Sequence, residues 1–352
     1  MVPPMLQRLL FAVAWLAATL AAGAERAPTG GLPDTGQTTR YTKSFGEDSD
    51  FTGSSPAYQD NKDGTVTDLV TGLVWQRVDG GEMTWEKAKE YAKSLRLAGK
   101  QDWRLPNSNE LLSLMNHGFH GPAMDTTVFP HLEARYWWTG TAKVDDPSKV
   151  WLVNTGGGIG AHAKTETVSA GGNRPVHIRC VRGTSRLGSG PTLKDNGDGT
   201  VTDQRTGLVW QKVGPARRGT WEEALRACSE LDLAGRKDWR LPNIKELRSL
   251  SDDALAAPSA DRKFLPGMNA AAYWSSTTQC NRPERAWFTD FTSGLVTYAD
   301  KTTPQWFLAV RGGEPTAGSR EKTEPDPKTL APPEKAKGGG KGKPRGDKKG
   351  GN

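Results

Sequence analysis

The sequence predicts an α+β protein made of one domain written twice, each copy holding two helices and a small, mostly antiparallel sheet with long loops. Three observations carry this. Residues 60–76 read DNKDGTVTDLVTGLVWQ and residues 195–211 read DNGDGTVTDQRTGLVWQ, with fourteen of seventeen positions alike. Residues 97–111 and 233–247, LAGKQDWRLPNSNEL and LAGRKDWRLPNIKEL, agree at eleven of fifteen. An offset of about 135 residues makes the repeat a whole domain, not a solenoid turn. Within each copy, strand-like alternation comes first, then two capped helical segments, then more strands, and that order defines the class.

Each element has a local cause. Asp63-Gly64 and Asp198-Gly199 are hairpin turn dipeptides, each followed by alternating Thr-Val-Thr. Thr71-Gly72 and Thr206-Gly207 turn the chain again into Leu-Val-Trp, a short buried strand. A first helix starts at Thr84 or Thr220, and Thr220 with Glu223 makes a capping box. Its apolar face in the second copy is Trp221, Ala224, Leu225, Cys228 and Leu231, at helical spacing. Gly99 and Gly235 are read as C′ caps of these helices. A second helix follows Leu-Pro, with Asn107 or Asn243 as N-cap and Glu110 or Glu246 three residues later. Tyr136-Trp137 pairs with Tyr273-Trp274, Trp151 with Trp287, and each copy ends in Val-Arg-Gly.

The ends differ from the middle. Residues 1–24 read as a secretory signal peptide: Arg8, an apolar run from Leu9 to Leu20, then Ala22-Gly23-Ala24 as the cleavage site. No later stretch is apolar enough to span a membrane, so a periplasmic or secreted protein is expected. Residues 25–55, rich in Gly, Thr, Ser and Pro, are expected to be a linker. Residues 315–352 hold ten Lys/Arg against five Asp/Glu and are expected to be a disordered basic tail. The whole chain carries +7, so residues 1–314 carry only about +2 and the basic character belongs mostly to the tail. Such a tail suits anionic polymers.

The motifs GDGTVTD-x-x-TGLVWQ, DWRLPN-x-x-EL, YW, AWF and VRG together resemble the C-terminal domain of the Legionella collagen-like adhesin, the Lcl C-terminal domain family. The likeness covers 56–184 and 191–313. It implies two tandem C-type-lectin-like domains. In that architecture a disulfide commonly joins the first helix to the final strand. Here Cys180 would face Ala92 and Cys228 would face Ala309, so the resemblance implies that neither copy is stapled; Cys280 is left in a long loop. The fold's enzymatic option, formylglycine generation, needs a reactive cysteine pair that neither copy offers. The calcium lectin signatures E-P-N, Q-P-D and W-N-D are absent.

The residues leave few chemical options. Asp60, Asp63 and Asp68, recurring as Asp195, Asp198 and Asp203, are candidate Ca²⁺ ligands, and no cofactor besides Ca²⁺ is expected. An EF-hand register fails, because it puts Lys194 at the first ligand position. The competing reading is that these carboxylates accept backbone N–H groups in turns. Arg104–Glu110 and Arg240–Glu246 are read as cap and anchor pairs, not as acid and base. All five histidines, 117, 120, 131, 162 and 177, lie in the first copy, and His117-x-x-His120 has no evident third metal ligand. No G-x-S-x-G elbow is present. Of thirteen tryptophans, ten form matched pairs and are read as core. Trp138, Trp306 and Tyr298, beside Arg282, Arg285 or Lys301, are the candidate ligand platform. The expected function is a non-enzymatic binding or adhesion module that recognises a carbohydrate or polyanionic surface. The alternative is a structural or assembly component that holds an envelope protein. Nucleic acid is not the expected partner.

Overall fold

The computed structural model describes residues 31–312, apart from 52, 131–134 and 170–173. The signal peptide and the basic tail therefore lie outside the described residues. The first unit runs β1 (Tyr58–Asp60), β2 (Thr65–Asp68), β3 (Val74–Gln76), α1 (Trp85–Ser94), α2 (Ser108–Ser113), β4 (Tyr136–Lys143), β5 (Asp146–Asn154), β6 (Ile159–Ala163), β7 (Val168–Ser169), β8 (Arg174–His177) and β9 (Val181–Arg182). The second runs β10 (Leu193–Asp195), β11 (Thr200–Asp203), β12 (Leu208–Gln211), α3 (Trp221–Ser229), α4 (Ile244–Ser249), β13 (Ala272–Thr278), β14 (Arg285–Asp290), β15 (Leu295–Asp300) and β16 (Val310–Gly312).

Each unit has its own four-stranded antiparallel sheet, β1-β2-β3-β9 and β10-β11-β12-β16. The remaining strands join across the units into one eight-stranded sheet, ordered β13-β14-β15-β6-β5-β4-β8-β7. Its only parallel pair is β4 with β8. The seam is β15 against β6, paired at Val296 and Ile159. Cores merge there too: Ile244, Trp287 and Val296 of the second unit pack with Leu111, Met115, Trp151 and Ile159 of the first. The two units are thus folded as one body, and the observed class is α+β with mostly antiparallel sheets.

The helix starts are set by their caps. Asn107 and Asn243 accept from the backbone N–H of Glu110 and Glu246, whose carboxylates accept from the cap N–H in return. Thr220 and Glu223 repeat that box in α3. Thr84 lacks it, because Lys87 stands where the box needs a carboxylate. Each box contributes about 1 kcal/mol. Arg104 and Arg240 grip the cap glutamates with two bonds of 2.6–2.7 Å each and donate to the carbonyls of Gly183 and Gly312. The pair therefore ties the second helix to the last strand.

Three expectations change. Gly99 and Gly235 do not cap helices, since α1 ends at Ser94. With Ala98 and Ala234 they are the two central residues, all at positive φ, of tight turns between Leu97 and Lys100 and between Leu233 and Arg236. Second, Trp137 is not the partner of Trp274. The N–H of Trp138 donates to Met83 O as that of Trp274 donates to Gly219 O, and Trp85 and Trp221 bond Thr139 O and Ser275 O. The equivalence is Trp138 with Trp274 and Trp137 with Tyr273. Matching the letters YW slips the strand by one residue, which exchanges its two faces.

Third, residues 31–51 are a packed strap and not a linker. Thr35, Gln37, Thr42, Glu47 and Asp48 are buried. The Gln37 side chain exchanges two hydrogen bonds with the backbone of Thr278, at 2.9 and 3.0 Å. Asp48 accepts from Thr35 and Thr277, and Lys245 donates to Asp34 O. Polar groups satisfied this way bury without apolar residues, which is why composition misses them. Cys180 and Cys228 are free and buried, in the same core clusters as Ala92 and Ala309 respectively; Cys280 is free and half-buried.

Candidate functional site

A cleft of about 470 Å³ opens at the seam between the units, within the ~300–1,000 Å³ usual for small-ligand sites. The first unit supplies His120, Arg135, Tyr136 and the β5–β6 turn from Asn154 to Gly158. The second supplies Gln279, Trp287, Thr297 and Tyr298. The strand registers place them: Tyr136 lies opposite Asn154, and Trp287 opposite Tyr298.

The turn wall is held from beneath. Asn154 Oδ1 accepts from the N–H groups of Gly156 and Gly158. His117, fully buried, contacts Gly157 O through Nε2 at 3.1 Å. Burial, then the charge of Lys245, pushes its pKa down to about 3, so the ring is neutral and Nε2–H is the donor to that carbonyl. Gly157 sits at φ +94°, and a Cβ there would lie 2.7 Å from the imidazole, so only glycine fits. His117 also packs edge-on against Trp287, at 5.3 Å between centroids. Trp287 meets Tyr298 edge-on at 5.4 Å. The cleft thus presents aromatic surfaces, an exposed imidazole, a guanidinium and an amide. Among the lining residues there is no carboxylate and no thiol.

The candidates chosen from sequence part company here. Tyr298, 36% exposed, lines the cleft. Arg285 stands 5.6 Å over its ring and pairs with Asp300 at 2.9 Å. Arg282 is exposed on the turn between β13 and β14, its N–H donating to Gln279 O. Lys301 lies elsewhere: its Nζ is 3.8 Å from the Trp221 ring centre and donates to Thr278. Burial lowers its pKa to about 8. Trp306 is half-buried and stacks on Tyr273 at 6.5 Å. Trp138 is fully buried and cannot be a platform; once correctly aligned it is the core partner of Trp274.

The six aspartates do not gather around an ion. Asp60, Asp63 and Asp68 accept from the backbone N–H groups of Lys62, Thr65, Val70 and Thr71. Asp195, Asp198 and Asp203 do the same for Gly197, Thr200, Thr192 and Arg205. Among the described residues no group of three or more His, Cys, Asp or Glu could hold a metal. These bonds fix the turns.

Sequence reasoning missed His120, Arg135, Tyr136, Asn154, Gln279 and Trp287 as site residues. A signal for four cleft positions was present. Asn116 N–H donates to Ala123 O as Asp252 N–H donates to Ser259 O, which aligns His120 with Ala256. Arg135 O and Ala271 O accept from Thr155 and Phe291, which aligns that pair and the next, Tyr136 with Ala272. Trp151 lies opposite Ala161 as Trp287 lies opposite Tyr298. At four positions the cleft therefore has His, Arg, Tyr and Tyr where its mirror image has alanine. The one-residue slip at Trp137 hid the alanine opposite Tyr136.

A duplicated α+β chain with a ligand-sized cleft at its internal seam is, as a class, a tandem-domain scaffold. The chain belongs to the Lcl C-terminal domain family, whose model matches residues 64–182 and again 199–311. That family suggests an adhesin-like module. No curated protein matches it. No helix among the described residues is long and apolar enough to cross a membrane.

Proposed function

We propose that the chain is a non-enzymatic, extracytoplasmic binding module that holds a carbohydrate in the seam cleft, on a lectin-like scaffold. One observation carries the reading. His120, Arg135, Tyr136 and Tyr298 stand where the mirrored positions are alanine and the fold is the same, so folding does not require them. Large polar and aromatic side chains kept at a concave surface, where the mirrored positions hold alanine, suit a ligand. Aromatic faces beside amides and a guanidinium match a sugar, which has apolar ring faces and hydroxyl edges. The basic tail at 315–352 adds attraction for polyanionic surfaces.

The test is a glycan array probed with the intact chain and with Tyr298→Ala. Binding that weakens about tenfold in the variant, with an unchanged melting temperature, supports the reading. Glycan binding unaffected by Tyr298→Ala and by Tyr136→Ala overturns the cleft as its seat. A second reading, capture of an envelope protein, draws on Phe119, 58% exposed beside His120. It is favoured if no glycan binds and one envelope protein is retained in a manner lost with Phe119→Ser.

A further inference from the structure

One side chain joins the two walls of the cleft from behind. Gln37, in the strap, is 3% exposed. Its Nε2 donates to Thr278 O at 2.9 Å, and its Oε1 accepts from Thr278 N–H at 3.0 Å. Thr278 directly precedes Gln279, which lines the second-unit wall. The same Nε2 also donates to His117 O at 3.4 Å, and Thr35 O accepts from His117 N–H at 2.8 Å. His117 in turn holds the first-unit wall through Gly157 O. Asp48 accepts from both Thr35 and Thr277, so the strap is tied down at the same point.

The clamp exists on one side of the duplication only. Asp253 mirrors His117, and its N–H donates to Ser189 O at 2.7 Å as that of His117 donates to Thr35 O. A Cβ on Gly190 would lie 2.6 Å from the carboxyl carbon of Asp252, as one on Gly36 would lie 2.5 Å from Oδ1 of the mirrored Asn116. Residues 189–190, between the units, therefore retrace residues 35–36 of the strap. The next residue is Pro191 where the strap has Gln37, and proline offers no side-chain hydrogen bond. Ala142, the mirror of Thr278, is bonded by no side chain among the described residues. The clamp thus stands behind the cleft that carries His120, Arg135, Tyr136 and Tyr298, and is missing behind its alanine-bearing counterpart.

Resting on the carbohydrate reading above, we infer that Gln37 is a positioning residue for the cleft. Its amide fixes the spacing at which His120, Arg135 and Tyr136 of one unit and Tyr298 of the other meet one ligand, and it touches no ligand itself. A binding constellation has to be held within about 0.5 Å of its productive geometry. Walls set at that spacing before the ligand arrives spare the cost of ordering them on binding. The strands of the two units meet at the seam only through Val296 and Ile159, so the strap adds a second tie behind the cleft.

The experiment has two arms, both on the full chain. In the first, spin labels on Phe119→Cys and Arg282→Cys, exposed on either unit, report the spacing of the walls by pulsed electron resonance, with Cys280→Ser removing the half-buried native thiol. In the second, unlabelled chains are applied to the glycan array. Gln37→Leu should broaden the distance distribution and weaken array binding about tenfold. Ser108→Ala, which breaks a bond to Asp253 across the seam outside the cleft, should change neither. Gln37→Glu supplies the rescue. A protonated carboxyl both donates and accepts, as the amide does, and burial favours that form. It should match the wild type in both arms at about pH 5 and behave like Gln37→Leu at about pH 8, each compared with the wild type at the same pH. Melting curves confirm that each variant is folded. An unchanged distance distribution in Gln37→Leu, or a loss of binding no greater than that of Ser108→Ala, overturns the inference and leaves the carbohydrate reading standing. If no glycan binds the wild type, the carbohydrate reading falls, and the distances alone decide whether Gln37 sets the width of the cleft.

Discussion

Arg248 and Asp253 form an ion pair with side chains 0% and 1% exposed. Ser108, at the start of α2 in the other unit, donates to Asp253 at 2.7 Å and accepts from Arg248 at 3.0 Å. The triad therefore joins the units across the seam. Asp253→Ala removes the carboxylate and leaves a guanidinium in a dry interior with only the Ser108 hydroxyl and Ser251 O for company. An uncompensated buried charge of this kind costs about 3–5 kcal/mol. Replacing both partners, as Arg248→Leu with Asp253→Leu, removes the charge altogether. Its cost reduces to the stranded Ser108 hydroxyl and Ser251 carbonyl, about 1–2 kcal/mol in all. The first unit already makes the uncharged choice: Leu112 occupies the place of Arg248 and the neutral His117 that of Asp253. The double variant should therefore be more stable than the single one. Urea unfolding followed by circular dichroism measures both. A single variant that loses less than about 1 kcal/mol, or a double variant worse than the single one, would refute the reasoning.

Three further outcomes are expected. The folded pKa of His117 is pushed down to about 3, below its ordinary 6.5, so its contribution to stability is lost as pH falls from about 6.5 toward 3; His117→Gln should flatten that slope in unfolding free energy by close to one proton. Glu47 goes the other way: burial raises its pKa to about 7, so the strap loses stability as pH rises from about 4.5 to 7. Amide exchange over residues 41–48, corrected for intrinsic rates, should be slower at pH 5 than at pH 8, and equal protection at both would count against it. Ala309→Cys sets a thiol in the buried cluster of Cys228; on oxidation it should form a disulfide and add about 2–4 kcal/mol, while a thiol count that stays unchanged would show that the helix and strand do not face each other as aligned.

What was legible in the sequence was whatever has a local cause. The Asn-x-x-Glu boxes, the Asp-Gly turns and the duplication all read directly, because each is a short-range hydrogen-bond pattern or an identity match. The strap did not read, since Thr35, Gln37 and Asp48 are buried through hydrogen bonds to residues 13 to 241 positions away. Of the cleft, Tyr298 was found because it is an unmatched aromatic. His120 and Arg135 were not, because they face residues of the other unit only after β6 and β15 have paired. Trp138 was misjudged for a different reason. In a strand of consecutive aromatics, identity favours the wrong register, and only the hydrogen bonds to Met83 and Thr139 show the right one.

The alanines opposite the cleft have a consequence for valency. A homodimer of single domains would carry two equal sockets about its axis. Here the second socket has alanine at four positions where the first has His120, Arg135, Tyr136 and Tyr298, so on the proposed reading each chain would be monovalent at the seam. A cleft of this size would grip a sugar weakly, and weak grips hold a surface only when many act at once. Firm adhesion would then be a property of how densely copies are displayed, and it would rise steeply with crowding while the affinity of each socket stayed the same.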